Sequence, residues 1–375
     1  MKILHTSDLH LGKNLVEESF YDDQKYILEE IINIVKDNEI SVVMIPGDIY
    51  DKSIPSLEAS TLFDNFLTKL SKLNVKVLIT SGNHDSNERL AYGSRIFNEF
   101  NIHIVTKYDG KIEKISIDDV DFYLLPFLKP FHLKHMMDEK EYENINNSND
   151  MLNWILNREK IDKNKKNILL AHQFVMWDGK TPEQCDSEAI SLNNVGTIDA
   201  VDVNLLSDFD YVALGHIHRP QKIKRDTIRY SGTPLKYSFS EVNDKKSVVI
   251  INTDNISEIK LIELKPLRDM RVLRGTFEEV MNMKKSDDII KVELEDQNTI
   301  LSPMEEIRKR FKNAISLVFI NKYEDSKTSK TKVINEDASP YELFDLFFRE
   351  QNSREMNDEE ALYIKQLIDS LKEES

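Results

Sequence analysis

The segment YVALGHIH, Tyr211 to His218, runs from a short apolar stretch through a glycine into two histidines with one residue between them. An apolar run of this length bounded by a glycine reads as a buried strand, and residues just beyond it lie where α/β sheets build their sites, outside the carboxyl ends of the strands. Four other runs end in the same way. Residues 2–6 (KILHT) lead to Asp8 and His10, and 41–46 (SVVMIP) lead to Gly47 and Asp48. Residues 75–80 (VKVLIT) lead to Gly82, Asn83, His84 and Asp85, and 167–171 (NILLA) lead to His172. Helical patterns separate the strands. One covers 20–37, with Tyr26, Ile27, Ile31, Ile34 and Val35 on an apolar face, and another covers 56–71, opened by Pro55 and Ser56. The layout is α/β.

Five of the nine histidines fall in these turns, a clustering that scattered core or surface histidines would not produce. His5, His103, His132 and His135 are read as structural. The turn residues comprise carboxylates, imidazoles and one amide oxygen, with no thiolate. That set suits a borderline-hard divalent ion such as manganese or iron better than a structural zinc. Asp8, His10, Asp48, Asn83, His172, His216 and His218 are too many for one four-coordinate ion and suit two, with Asp48 as the natural bridge. Gly47, Gly82 and Gly215 allow tight turns where the backbone crowds the site. A pair of ions about 3.5–4 Å apart favours in-line displacement at phosphorus, because it neutralises charge building on the phosphate. Phosphoester hydrolysis is the reaction expected.

The 375 residues are enough for one large domain and a smaller one. No apolar run approaches the ~18–20 residues of a membrane span, and the N-terminus turns polar too early for a signal peptide. With Cys185 as the sole cysteine there is no internal disulfide, which fits a reducing, cytoplasmic setting. The formal charge is −16, but residues 336–375 carry twelve acidic and four basic side chains, a net of −8. Half the excess therefore sits in the last forty residues. Acidity weakens a nucleic-acid reading without excluding it, since net charge does not describe a local groove. Near residue 266 the strand and helix pattern restarts and predicts a small α+β domain over 266–325, after a larger one over 1–265. A polar stretch, 326–338, reads as a linker. Beyond it, 339–375 predicts two amphipathic helices striped by Leu343, Phe344, Phe347 and Phe348, then Leu362, Leu367, Ile368 and Leu371. They either pack on their own domain or dock on a partner.

The ordered blocks DLHLGK (8–13), GDIYD (47–51), GNHD (82–85), AHQF (171–174) and GHIH (215–218) resemble the five signature turns of the calcineurin-like metallophosphoesterase superfamily. With HTSDLHLGK (5–13), GNHDSNERL (82–90), RYSGTPLKYSFSE (229–241) and KPLRDMRVLRGTFEEV (265–280), the chain is similar, more narrowly, to the SbcD family of nuclease subunits of bacterial SbcCD complexes. The resemblance covers most of the chain. It implies a two-sheet sandwich flanked by helices, a small capping domain that shapes a DNA groove, and a C-terminal helical tail that binds the base of an SbcC-type coiled-coil ATPase. It further implies that Asp8, His10 and His218 hold one ion and Asn83, His172 and His216 the other, with Asp48 shared. Two divalent ions, with Mn2+ the expected metal, would serve His84 as the catalytic group that stabilises the transition state or protonates the leaving oxygen. Asp85 either orients His84 or bonds its own loop. Asp51 and Lys13 are given no catalytic role. Helices near 56–71 and 88–99 would form a homodimer within a heterotetramer. Asn87 stands where many relatives have proline, which bears on loop stiffness and not on ligation.

The activity so implied is hydrolysis of double-stranded DNA ends and hairpins, as a 3'-5' double-strand exonuclease and single-strand endonuclease in DNA repair, recombination and replication. Nothing in the sequence reads bases, so contacts should go to phosphates. Lys222, Lys224, Arg225, Arg229 and Lys236 are the candidates. A phosphomonoesterase or cyclic-nucleotide phosphodiesterase on the same scaffold, or a scaffold that holds DNA ends without cutting, remains as an alternative.

Overall fold

The computed structural model describes residues 1–16, 18–188, 200–296, 298, 300–320, 341, 343–345, 348–349 and 354–373. The chain divides into two compact units, 1–320 and 321–375.

In the first unit β1 (Lys2–His5), β2 (Val42–Pro46), β3 (Lys76–Thr80) and β4 (Ile102–Val105) run parallel as neighbours. A second sheet takes β5 (Glu113–Ile117), β6 (Val120–Leu125), β7 (Lys166–His172), β8 (Tyr211–Gly215), β9 (Gln221–Ile223) and β10 (Arg225–Tyr230), in the order β9-β10-β8-β7-β6-β5. β11 (Ser247–Asn252) and β12 (Asn255–Glu263) then return the chain to the first sheet, where β11 pairs antiparallel with β1. The two sheets pack face to face. Ile3, Val42, Met44 and Leu78 of the first meet Phe122, Leu124, Ile168 and Ala213 of the second.

Successive side chains of a strand point to opposite faces, and here both faces are covered. While Val42 and Met44 enter the inter-sheet core, Val43 and Ile45 pack outward among the residues of the flanking helices. That double burial is why the strands read as continuous apolar runs and not as alternating ones. Helix α1 (Tyr21–Asp37) buries Ile27, Leu28, Ile31, Ile34 and Val35. Tyr26 departs from the expected stripe: it is 43% exposed, because helical spacing puts Leu28, and not Tyr26, beside Ile31 and Val35. Helix α2 (Leu57–Lys72) starts at Ser56, whose hydroxyl accepts the Ala59 N–H at 3.1 Å. In place of one helix near 88–99 there are two short ones, Asn87–Leu90 and Ser94–Asn98.

At the end of the first unit, β13 (Met270–Gly275), β14 (Ile289–Leu294) and β15 (Ala314–Phe319) make a three-stranded parallel sheet. Its connections carry α3 (Phe277–Asn282) and α4 (Pro303–Arg310). Leu273, Val280, Val292, Ile307 and Phe311 form a core of its own. Arg268 fastens its approach to the larger domain through hydrogen bonds to Asp23 and Glu18. In the second unit, α5 (Asp358–Glu373) leaves Leu362 and Tyr363 exposed. The expected linker 326–338, Phe347 and the side chain of Leu371 lie outside the described residues.

Candidate metal centre

Parallel neighbours present their carboxyl ends on the same side, so the turns after β1, β2 and β3 gather above one sheet and those after β7 and β8 above the other. The backbone there is bent sharply. Asp8, His10, Asp48 and His216 have φ of 53°, 45°, 49° and 102°, a region that residues other than glycine seldom occupy and that costs about 1–3 kcal/mol each. Such strain concentrates where side-chain direction matters more than backbone comfort.

All seven expected ligands and His84 come together. His10 Nε2 and His218 Nε2 lie 3.0 Å apart, and with an oxygen of Asp8 they form one close group of ligand atoms. Asn83 Oδ1 lies 3.0 Å from His172 Nε2 and 2.9 Å from His216 Nδ1. Between the two groups, Asp48 Oδ2 is 3.2 Å from His172 Nε2 and 3.7 Å from His10 Nε2. These donors fit divalent cations on three grounds: they mix nitrogen and oxygen, their lone-pair atoms converge, and Asp8, His10, Asp48, His172 and His218 are buried with their polar ends facing one another. His172 Nδ1 donates to the Pro46 carbonyl at 2.9 Å, which turns its Nε2 toward the site.

Two glycines are required by space. A Cβ on Gly215 would sit 1.9 Å from the Pro46 carbonyl oxygen and 2.7 Å from His172 Nδ1, and one on Gly82 would sit 2.2 Å from Asp48 Oδ1. The missing side chains leave room for ligand residues to approach from neighbouring strands.

The remaining polar residues sort by their partners. Asp85 accepts the N–H groups of Gly82, Tyr50 and Ile49 at 2.9, 3.0 and 3.2 Å, so it binds the turns together. His84 Nδ1 donates to the Asp51 carbonyl at 2.9 Å. Asp51 also places a carboxylate oxygen 3.6 Å from His10 Nδ1 and 2.8 Å from Lys13 Nζ. It thus supports two site histidines, a role that became visible only with the fold. His5 is fully buried and hydrogen-bonds Tyr211 Oη and the Leu214 carbonyl across the sheets at 3.0 and 3.2 Å. None of His5, His103, His132 and His135 joins a group of ligand atoms among the described residues. The expected basic groove is largely engaged elsewhere. Lys222 pairs with Asp226, Lys224 with Asn204, Arg225 with the Phe209 carbonyl and Lys236 with Asp269, while Arg229 is buried.

Burial and mutual charge set the protonation of these side chains. Burial lifts Asp8 to about 6 and, with the neighbouring His172 imidazolium, drops His216 to about 3. Burial alone would lower His172, but the carboxylates of Asp48 and Asp8 outweigh it and raise the ring to about 9. Asp48 is in turn held well below its usual range by His172 and His10 against the cost of burial. A raised histidine stabilises the fold fully below its unfolded value of 6.5, and that contribution is lost as pH climbs through about 9. Buried Glu188, lifted to about 8, acts in the same direction between 4.5 and 8. Chelator-treated protein should therefore lose up to about 3 kcal/mol of unfolding free energy from His172 alone between pH 6.5 and 9. Urea midpoints across that range check this, and a midpoint that holds or rises contradicts it.

Residues 1–220 match the family model described as calcineurin-like phosphoesterase, and residues 266–352 match one described as type 5 capsule protein repressor C-terminal domain. The chain is 32% identical over 385 aligned residues to a Staphylococcus saprophyticus protein named as the D component of the SbcCD nuclease, with 100% of this chain and 99% of that one covered. Among solved structures, a dimetal phosphatase from Danio rerio shares 14% identity at a TM-score of 0.40, covering 70% of this chain and 95% of its own. YfcE, a phosphoesterase from E. coli, shares 13% at 0.30, covering 71% and 100%. A phosphoesterase match that takes in all five strand-end turns, joined to a relative that aligns from end to end, places this chain in the calcineurin-like phosphoesterases and, within them, in the SbcD family of SbcCD nuclease components.

Proposed function

We propose that this chain is the nuclease subunit of an SbcCD-type complex, a metal-dependent phosphodiesterase acting on double-stranded DNA ends and hairpins as a 3'-5' exonuclease and single-strand endonuclease, in DNA repair, recombination and replication. The observation that carries the reading is the pair of ligand groups that meet at Asp48. Asp8, His10 and His218 would hold one ion, Asn83, His172 and His216 the other, and Asp48 both. Two divalent ions, Mn2+ by the character of the donors, would act as Lewis acids toward the phosphate. The residues do the rest. His84, its Nδ1–H given to the Asp51 carbonyl, would present Nε2 as proton donor to the departing 3' or 5' oxygen. Residues 1–265 would form the nuclease domain, 266–325 the cap over the DNA, and 339–375, beyond the linker 326–338, the tail that docks on an SbcC-type ATPase in the cytoplasm. A homodimer within the heterotetramer fits the exposed apolar side chains of Leu57, Tyr92, Ile96 and Phe100, the first two more than four-fifths accessible at 83% and 86%.

The test is a cleavage assay of the full chain on linear duplexes and hairpins, with Mn2+ or Mg2+, with and without the ATPase and ATP. Cleavage supported by Mn2+ and not by Mg2+ alone is expected. Rapid hydrolysis of small phosphomonoesters with no cut DNA under any of these conditions would replace the nuclease with a phosphatase.

A further inference from the structure

His218 faces the centre through Nε2, and its other ring nitrogen points back into protein. There Nδ1 meets the hydroxyl of Ser187 at 2.7 Å, and the same hydroxyl lies 2.8 Å from Glu241 Oε1. Glu241 is fully buried. Its carboxylate accepts from Ser238 Oγ at 2.9 Å, from the Tyr237 N–H at 3.3 Å and from the ammonium of Lys246 at 2.6 Å. Lys246, buried as well, donates also to the carbonyl of His218 at 2.8 Å. The short segment bearing Ser187 is pinned on both sides. The Asp186 N–H donates to Ser240 Oγ at 2.9 Å, and the Glu188 carboxylate accepts the backbone N–H groups of His218 and Cys185.

What each partner is able to do fixes the direction of every proton in this chain of contacts. A carboxylate paired with an ammonium only accepts, so Ser187 gives its hydroxyl proton to Glu241. The serine oxygen then offers lone pairs to His218, and Nδ1 must carry the ring proton. In a neutral imidazole that leaves the lone pair on Nε2, the atom turned toward His10 and Asp8. In His172 the Pro46 carbonyl likewise keeps a proton on Nδ1. For His218 the state is built from side chains of two stretches far apart in the chain, Ser187 on one and Glu241 and Lys246 on the other.

We propose that Ser187, backed by Glu241 and Lys246, is a positioning residue that fixes the tautomer and ring orientation of His218 and thereby sets the affinity of the ion held with Asp8 and His10, but not that of its neighbour. The assignment rests on the two-ion reading of the centre. Partners of this kind typically change metal affinity by roughly 10–100-fold. A structural staple would instead affect both ions or neither.

Mn2+ titration of the full chain, followed by electron paramagnetic resonance, separates these cases. Wild-type protein should bind two ions. Ser187→Ala should weaken one by roughly 10–100-fold and leave the other unchanged, and Ser187→Thr, which keeps the hydroxyl, should restore it. Unchanged binding in Ser187→Ala, or equal weakening of both ions, would overturn the assignment. Imidazole 15N shifts of the chelator-treated chain give a reading that needs no bound ion: His218 should be the Nδ1–H form in wild type and a mixture in Ser187→Ala. Identical spectra would refute the relay, whereas a wild-type chain that binds fewer than two ions with those spectra still different would remove the two-ion reading and leave the tautomer role standing.

Discussion

Asp48→Asn should cost the protein both ions at once and bring hydrolysis to background while leaving it folded. The substitution is a clean test of charge. Asp48 sits at φ 49°, and asparagine is among the few residues that tolerate this left-handed region. Its Oδ1 accepts the His84 N–H at 2.9 Å, and an amide oxygen can do the same. What changes is Oδ2, which faces His172 Nε2 at 3.2 Å and His10 Nε2 at 3.7 Å and would become an NH2 that offers no lone pair to either ion. Each ion should lose more than the roughly 10–100-fold seen when only a supporting residue is changed, whereas His10→Ala or Asn83→Ala should spare the other position. Elemental analysis after dialysis into limiting Mn2+ checks the stoichiometry. One ion retained tightly by Asp48→Asn would show that the carboxylate serves a single position. The same variant carries a second readout. Without the Asp48 charge His172 loses the main cause of its raised pKa, so the share of the stability loss between pH 6.5 and 9 that His172 carries should shrink, while the share from Glu188 up to about pH 8 stays.

The centre was legible in the sequence because side-chain identity carries its own chemistry. Imidazole, carboxylate and amide at the ends of apolar runs announce ligands without knowledge of where the strands go. Residues that act through the backbone or through another side chain carry no such mark. Asp51 supports His84 with a main-chain carbonyl and His10 with its carboxylate, and neither contact follows from its place three residues after Asp48. Ser187 lies 31 residues before His218 and stands in no block that resembles a signature. Asp85, which the sequence leaves divided between orienting His84 and binding its own turn, holds that turn through three N–H donors that no pattern shows. Glycine was read correctly for position and incompletely for reason: at Gly82 and Gly215 what matters is the ligand side chain pressing where a Cβ would be.

Fold legibility follows the same division. The inner strands of the sandwich were found within a residue or so, since double burial makes them unbroken apolar runs. Strand partners were not readable. The antiparallel addition of β11 to β1 joins residues far apart in the chain, such as Lys2 and Asn252, and the all-parallel pairing of the small sheet is likewise a matter of tertiary packing. Tyr26 shows the limit at finer scale, because an apolar ring at the margin of a helical stripe turns outward when a neighbour one step round fills the core better.

His84→Ala should leave both ions bound and lower turnover by roughly 10²–10⁴-fold, the range that a positioned general acid supplies. His84 shares a close group of ligand atoms with His10 and Asp48, but on the proposed division of roles it serves the leaving oxygen and holds neither ion. Its ring stands edge-on to His10 at 4.9 Å between centroids, and its Nδ1–H is committed to the Asp51 carbonyl, so the proton it can exchange is at Nε2. Loss of turnover alone would not separate a proton donor from a residue that only stabilises charge on the phosphate. The leaving group does. Departure of a 3' or 5' alkoxide needs a proton, while p-nitrophenolate departs without one, so a p-nitrophenyl phosphodiester should suffer far less from His84→Ala than DNA does. If both substrates slow by the same factor, proton donation is excluded and His84 acts through charge alone. If Mn2+ stoichiometry falls along with the rate, His84 is a ligand, and the division of labour in which two ions hold the phosphate while one histidine serves the leaving oxygen fails.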